Sequence, residues 1–330
     1  MDFGVIFSNT AGALLNAEAL VLALAAIGLN LHFGYTGLLN FGQVGFLAIA
    51  AYGLGVGVTY LELPFGVSVL LGLGLAVVLA VLLGIPTLRL RADYLAIVTI
   101  ASSEVIRLVA RSAALRDVTG GSSGLTGFAR GFYSLNPFDS GMDIGPFEYS
   151  ANRLWLLTVG WTLVVLSSLL VWALMRSPWG RVLKGIREDE DAVRSLGKNV
   201  VSYKMQSLVL GGLIGALGGF MFALANSSIQ PDNYSTLLTF FAYTCLILGG
   251  TARILGPVLG SILFIGLLVF FENFLVQGIR ADVIPTWIMN ENQVGVIRGI
   301  LVGAGLMLLM IFRPQGLIGD KKELQLDARR

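Results

Sequence analysis

Three groups of residues carry chemistry that the rest of this chain lacks. The first is GRVLKGIREDEDAVRSLGK at 180–198, the densest run of charge in a 330-residue chain that is 13% charged and 55% hydrophobic. Asp189 can cap a short helix whose first turn is Glu190, Asp191 and Ala192, with acidic side chains at the positive end of the helix dipole. Arg194 falls in the last turn, four residues after Glu190 in the favourable order, and Gly197 suits the left-handed position that ends a helix. Val193 and Leu196 fall on one face, with Ile186 and Val200 at compatible spacing. The segment Arg187, Glu188, Asp189, Glu190, Asp191, Ala192, Val193, Arg194, Ser195, Leu196, Gly197 therefore reads as a short amphipathic helix that a soluble partner can grip. A solvated charged loop is the other reading.

The second group is Glu104 and Arg107, three apart in an apolar stretch. At mid-bilayer each charge costs about 2.5–3.5 kcal/mol on insertion scales, so both must face protein or water. A self-neutralising structural pair and a place on a solute path both remain open. The third group is Gly37, Asn40 and Gln43 in GYTGLLNFGQ, with Thr99, Ser102 and Ser103. Gly34, Gly37 and Gly42 can unwind the backbone and free its polar groups to line a cavity. Such a path suits a zwitterion with an apolar side chain; simple packing and turn formation is the alternative.

Other chemistry is missing. One histidine, His32, and one cysteine, Cys245, argue against a His/Cys metal site and exclude a disulfide within the chain. His32, at a helix end, reads as a packed or interfacial residue rather than a ligand. No clustered His or Cys and no paired acids in the apolar stretches suggest an enzyme. No G-x-x-x-x-G-K-[ST] loop is present, so if ATP powers the protein, hydrolysis occurs on another chain. The pI of about 8.7 comes without a basic face bearing aromatic platforms, so nucleic acid is not expected.

The elements that position these groups follow from composition. Charge is half the usual ~25% and mean hydropathy is +0.80, which identifies an all-α polytopic membrane protein. Nine apolar stretches approach the ~20 residues a crossing needs: roughly 11–31, 41–60, 65–86, 93–110, 154–175, 205–225, 236–251, 256–276 and 294–312, within a range of eight to ten. The fourth carries polar residues and the seventh is short, so either can be broken or re-entrant. MDFGVIFSNT lacks the basic region of a cleaved signal.

Lys and Arg set the orientation. Arg176, Arg181, Lys184, Arg187, Arg194, Lys198 and Lys204, the turn residues Arg89, Arg91 and Arg253, and the tail residues Arg313, Lys321, Lys322, Arg329 and Arg330 all fall on one side of a nine-span chain. That side is expected to be the cytoplasm, with the C-terminus there and the N-terminus, with Asp2 and Glu18, outside. Arg111, Arg116, Arg130 and Arg153 in the outer loop run mildly against the rule. The expectation is a single transmembrane domain, 1–330, with an outer loop 111–153 and a cytoplasmic loop 176–204. Gly211, Gly215 and Gly219 form a small-xxx-small seam, and Gly256 and Gly260 repeat the device.

PWGRVLKGIREDEDAVRSLGKNVVSYK at 178–204 is similar to the cytoplasmic coupling segment of permeases from ABC importers for branched-chain amino acids, in its LivM-type form. FGYTGLLNFGQVGFLAIAAYG at 33–53, GGSSGLTG at 120–127, LGGTARILGPVLGSIL at 248–263 and RPQGLIG at 313–319 resemble other motifs of that family, in the same order. The resemblance implies the LivH/LivM permease fold in a prokaryotic inner membrane. It also implies a coupling helix over Glu188–Gly197, a second, LivH-like permease, two ATPase subunits carrying ATP and Mg, and a periplasmic or lipid-anchored substrate-binding protein. No cofactor is expected on this chain. Leucine, isoleucine and valine are the implied solutes; related permeases carry other amino acids, urea or amides. A stand-alone secondary transporter or channel, coupled to an ion through Glu104, is the competing expectation. One departure is Ala252 and Arg253, where the family more often has Gly and a small polar residue.

Overall fold

A computed structural model describes residues 3–88, 92–144, 147–281, 283, 289–313 and 315–318. Asp2, Arg89, Arg91, Lys321, Lys322, Arg329, Arg330 and part of the 313–319 motif lie outside the described residues.

The chain opens with α1 (Phe3–Ala13) and α2 (Ala17–Leu29). The sequence suggests one span over 11–31; the structure instead breaks the chain at 14–16 and starts the buried helix at Ala17. The cause is Asn16, whose side chain accepts the Ala19 N–H at 2.9 Å as an N-cap. Hydropathy cannot register this break, because apolar residues lie on both sides of Asn16. From Ala19 to Leu29 every residue of α2 is buried, which suits a helix that is apolar all round. It is the axis of the fold.

A π-helical turn, Asn30–Tyr35, continues α2 to its end; residues 37–40 are irregular and a turn leads into α3 (Gln43–Thr59). Then follow α4 (Phe65–Thr87) and α5 (Ala92–Arg111). The connection from α5 to the next long helix holds α6 (Arg116–Thr119), β1 (Leu125–Thr126), α7 (Arg130–Tyr133) and a hairpin of β2 (Met142–Ile144) with β3 (Phe147–Tyr149). α8 (Ala151–Arg176) leads to two short helices, α9 (Pro178–Glu188) and α10 (Glu190–Ser195). α11 (Val200–Asn226), β4 (Ser228–Ile229), α12 (Thr236–Gly249), α13 (Gly256–Arg280) and α14 (Val294–Phe312) complete the described fold. β1 pairs antiparallel with β4, Leu125 opposite Ile229, and ties the 120–127 loop to the α11–α12 connection.

Eight of the nine apolar stretches each fall on one helix, whereas the first, 11–31, takes in the end of α1 and the whole of α2. Five helical segments among the described residues are long and apolar enough to cross a membrane: Ala17–Tyr35, Phe65–Thr87, Ala151–Arg176, Val200–Asn226 and Gly256–Arg280. α3 and α12 are apolar but shorter; the 14 residues of α12 span about 21 Å against ~30 Å of hydrocarbon. α5 is an unbroken helix over its full 20 residues. α11 packs along α2, α3 and α4, and α13 along α2 and α12.

The glycine seam makes the α11 crossing possible. A Cβ on Gly211 would run into the Gly28 carbonyl and the His32 ring; one on Gly215 would meet the Gln43 side chain; one on Gly219 would meet the Leu47 backbone. Backbone therefore meets backbone where α11 passes α2 and α3. Gly256 and Gly260 do the same at the α12–α13 turn, against Gly250 and the Cys245 carbonyl. Cys245 is buried and unpaired with sulfur.

Candidate functional site

The break after α2 leaves backbone groups without helical partners in a largely buried part of the molecule. Each named here is met by protein. Asn40 is the hub: its amide donates to His32 Nδ1 and to Gln43 Oε1, both at 3.1 Å, and its Oδ1 accepts the Gly42 N–H at 3.0 Å. His32 Nε2 lies 3.1 Å from the Leu208 carbonyl. A carbonyl only accepts, so the imidazole is the neutral Nε2–H tautomer, and Nδ1 is free to accept from Asn40. Gln43 Nε2 donates to the Gly211 carbonyl at 3.1 Å, fastening α3 to the seam of α11.

Neighbouring helices supply the remaining partners. Thr99 of α5 accepts the Phe41 N–H at 3.1 Å, and Thr239 of α12 accepts the Val44 N–H at 3.0 Å. The Tyr243 hydroxyl donates to the Asn40 carbonyl at 3.0 Å. The Thr36 and Ser207 hydroxyls both donate to the Leu31 carbonyl, at 2.8 and 3.2 Å. Gly37 turns with φ +74°, a conformation that suits only glycine well. Asn40, Gln43 and Thr99 are fully buried and Ser103 nearly so, while Ser102 is half-buried. Ser103 donates back to the Ile100 carbonyl within its own helix at 2.8 Å. The sequence-chosen residues Gly37, Asn40, Gln43 and Thr99 thus meet in one knot, whereas Ser102 and Ser103 lie further along α5. Thr36, Ser207, Thr239 and Tyr243 escaped the sequence reading; lone hydroxyls in apolar helices carried no signal of their own.

The charged segment docks on the near side of this knot. Ser177 caps α9 with Pro178 in its first turn, and Leu183 and Ile186 are buried on its inner face. The Arg187 guanidinium donates to the Gly34 carbonyl at 2.6 Å, inside the π-helical turn, and its side chain also packs against Gly37. A cavity of about 290 Å³ separates the two segments, lined by Thr36, Gly37, Leu88, Arg187, Glu190 and Lys204 among others. Asp189 accepts the Ala192 N–H at 3.0 Å and starts α10; Glu190 and Asp191 open its first turn. Arg194 bridges Glu190 at 2.8 Å and Asp191 at 2.9 Å, and Glu190 also pairs with Lys204 of α11. Gly197 has φ +75°.

One feature differs from the pattern expected. Val193 is buried with Ile186 and Val200, but Leu196 is 79% exposed. The helix ends at Ser195, so Leu196 no longer follows the 3.6-residue period and points away from the protein.

Glu104 and Arg107 pair at 2.8 Å. Glu104 also accepts the Thr236 hydroxyl at 2.7 Å, and Arg107 and Arg111 both reach Asp232, at 3.1 and 3.2 Å. The pair belongs to a network that fixes the end of α5 to the start of α12. Asn30 accepts the Ala252 N–H at 2.9 Å and donates to the Arg253 carbonyl at 2.8 Å, linking the π-helical turn to the α12–α13 connection. Ala252 there has φ +56°, so the position that departs from the expected glycine is also a strained one.

Residues 14–310 match the family described as branched-chain amino acid transport system / permease component. The chain is similar to the high-affinity branched-chain amino acid transport system permease protein LivM of Escherichia coli, 29% identical over 310 residues that cover 91% of this chain and 68% of that protein. It is similar to the probable branched-chain amino acid transport permease protein LivM of Methanocaldococcus jannaschii, 25% identical over 90% of each chain. A shorter likeness, 29% over 189 residues, links it to the autoinducer 2 import system permease protein LsrC of Salmonella typhi, covering 55% of this chain and 53% of that protein.

Proposed function

The chain belongs to the family of permease components of branched-chain amino acid transport systems, and from that premise we propose that it is the membrane subunit of an ATP-driven importer that takes force through α9 and α10. One observation carries this reading. The Arg187–Gly34 hydrogen bond joins the exposed charged helices to the only part of the α2 axis that departs from α-helical geometry among its described residues. A push on α10 is thereby delivered to the break rather than dissipated in a straight helix. Leu196, apolar and exposed beyond the end of α10, is a knob for a cleft on an ATPase subunit.

In this assembly the other components are a second, LivH-like permease, two ATPases that hold ATP and Mg, and a periplasmic or lipid-anchored protein that delivers the solute. Residues 176–204 face the cytoplasm and the N-terminus lies outside, in one transmembrane domain over 1–330. Branched-chain amino acids are the solutes, and they pass beside the knot of Gly37, Asn40, Gln43 and Thr99 and then Ser102 and Ser103 further along α5. That knot holds the path shut until Arg187 moves.

The complex reconstituted in liposomes provides the test. Leu196→Cys should form a disulfide with a cysteine placed in the ATPase cleft, and labelled leucine should enter in preference to urea when ATP is supplied. A thiol at position 190 that is reachable only from outside intact cells would overturn the topology and the coupling together.

A further inference from the structure

We infer that the permease holds its own binding cavity for a zwitterionic solute with a branched aliphatic side chain, at the end of the bundle opposite α9 and α10; the assignment of the solute rests on the importer reading above. A cavity of about 590 Å³ lies among α2, α11, α12, α13 and α14, within the range of small-molecule sites. Phe222, close to the end of α11, and Glu18, in the first turn of α2, line it, which sets it at the ends of α2 and α11 remote from the charged helices.

Its walls are of two kinds. Val21, Leu22, Leu238, Phe241, Ile265 and Leu268 form an apolar lining. Asn16, Glu18, Glu272 and Arg298 gather the polar groups. Arg298 pairs through one terminal nitrogen with Glu272, but its Nε is buried with no hydrogen-bond partner. A buried N–H of a guanidinium left unmatched calls for an acceptor, and a carboxylate suits it best. Glu18 has no hydrogen-bond or ion-pair partner among the described residues. The dipole of α2 explains a carboxylate at that helix end, but it explains neither the orphaned Nε nor the apolar wall. Taken together, a donor needing a carboxylate, a carboxylate free to take an ammonium, and a greasy lining describe an α-amino acid with an aliphatic side chain. A sugar would leave the lining unmatched, and a fatty acid would leave Glu18 unmatched. Asn16, Glu18 and Phe222 also line a second cavity of about 400 Å³ that includes Arg153 and Asn226, so Glu18 stands on the threshold between that cavity and the site.

Photo-leucine, a diazirine analogue of leucine, tests this on the assembled complex in lipid. Labelling should map to peptides containing Glu18–Leu22, Leu238–Phe241 and Ile265–Glu272, and unlabelled leucine should displace it. Glu18→Gln, which preserves volume, should lower it about tenfold in complexes that elute intact. As a second variant, Phe241→Ala should raise uptake of phenylalanine relative to valine several-fold. Labelling elsewhere, labelling that leucine does not displace because lipid fills the groove, or a uniform fall in uptake with unchanged selectivity overturns the inference. Leucine import by the wild-type complex is measured in the same preparation. Its absence sinks the importer reading, whereas import without cavity labelling sinks only the cavity.

Discussion

The break at 30–43 and the charged helices at 178–197 both interrupt an apolar chain, and they satisfy their polar groups in opposite ways. In the break, Asn40, Gln43, His32 and Thr36 are neutral and buried, and their partners are carbonyls, hydroxyls and amides of the break itself, α11 and α12. In the charged helices, Arg194 and Asp191 are largely exposed and pair with neighbours on the same short helix. An unmatched polar group away from water costs several kcal/mol, whereas an exposed ion pair contributes about 0–1 kcal/mol. The break is therefore held by all of its bonds at once, and the charged helices are free to vary wherever they do not touch it. They touch it through Arg187, bonded to the Gly34 carbonyl, and through Lys184, whose ammonium lies over the Tyr35 ring.

Substitutions should reproduce that contrast, and the largest effect should come from the hub. Asn40→Leu strands His32 Nδ1, Gln43 Oε1 and the Gly42 N–H, and should destabilise the protein by more than about 3 kcal/mol, seen as lost monodisperse material and a lower Tm in detergent. Gly211→Val drives a side chain into the Gly28 carbonyl and the His32 ring and should cost about 3 kcal/mol, while Gly74→Ala, with open space around it, should leave Tm unchanged. An equal response at the two glycines would mean that the α2–α11 crossing is looser than it appears.

Arg187→Gln sits at the junction of the two regions. It should spare assembly yet reduce ATP-driven uptake about tenfold, a coupling loss of ~1.4 kcal/mol. Should uptake persist while the ATPase dissociates, Arg187 would belong with the exposed helices alone. Asp189→Ala removes the cap of α10 and should weaken that helix by about 1 kcal/mol, read as faster amide exchange over 190–195. Arg194→Ala should change stability by no more than about 0.5 kcal/mol, an effect that salt erases.

The legibility of each region follows from the range of its interactions. The cap at Asp189, the pair Glu190–Arg194 and the stop at Gly197 all act within eight residues, so residue order exposes them. Leu196 misled because the period that predicts its face holds only while the helix lasts. Asn16 was readable in principle as a cap, but the surrounding hydropathy hid it. The partners of the break were not readable: Thr239, Tyr243 and Ser207 stand about 170 to 200 residues from the groups they serve.

By itself the sequence determined an all-helical membrane protein, the seam of small residues, the glycine-rich segment able to unwind, and the charged helix with its own cap. These depend on composition and on contacts between near neighbours, which the order of residues fixes directly. Only the tertiary structure decided that the unwound segment is closed by a knot centred on Asn40, that Arg187 reaches it, and that Arg298 is left with an unmatched N–H beside an apolar cavity. Those outcomes depend on which distant helices share a side, and in a uniformly apolar chain hydrophobicity alone does not distinguish one pairing of helices from another.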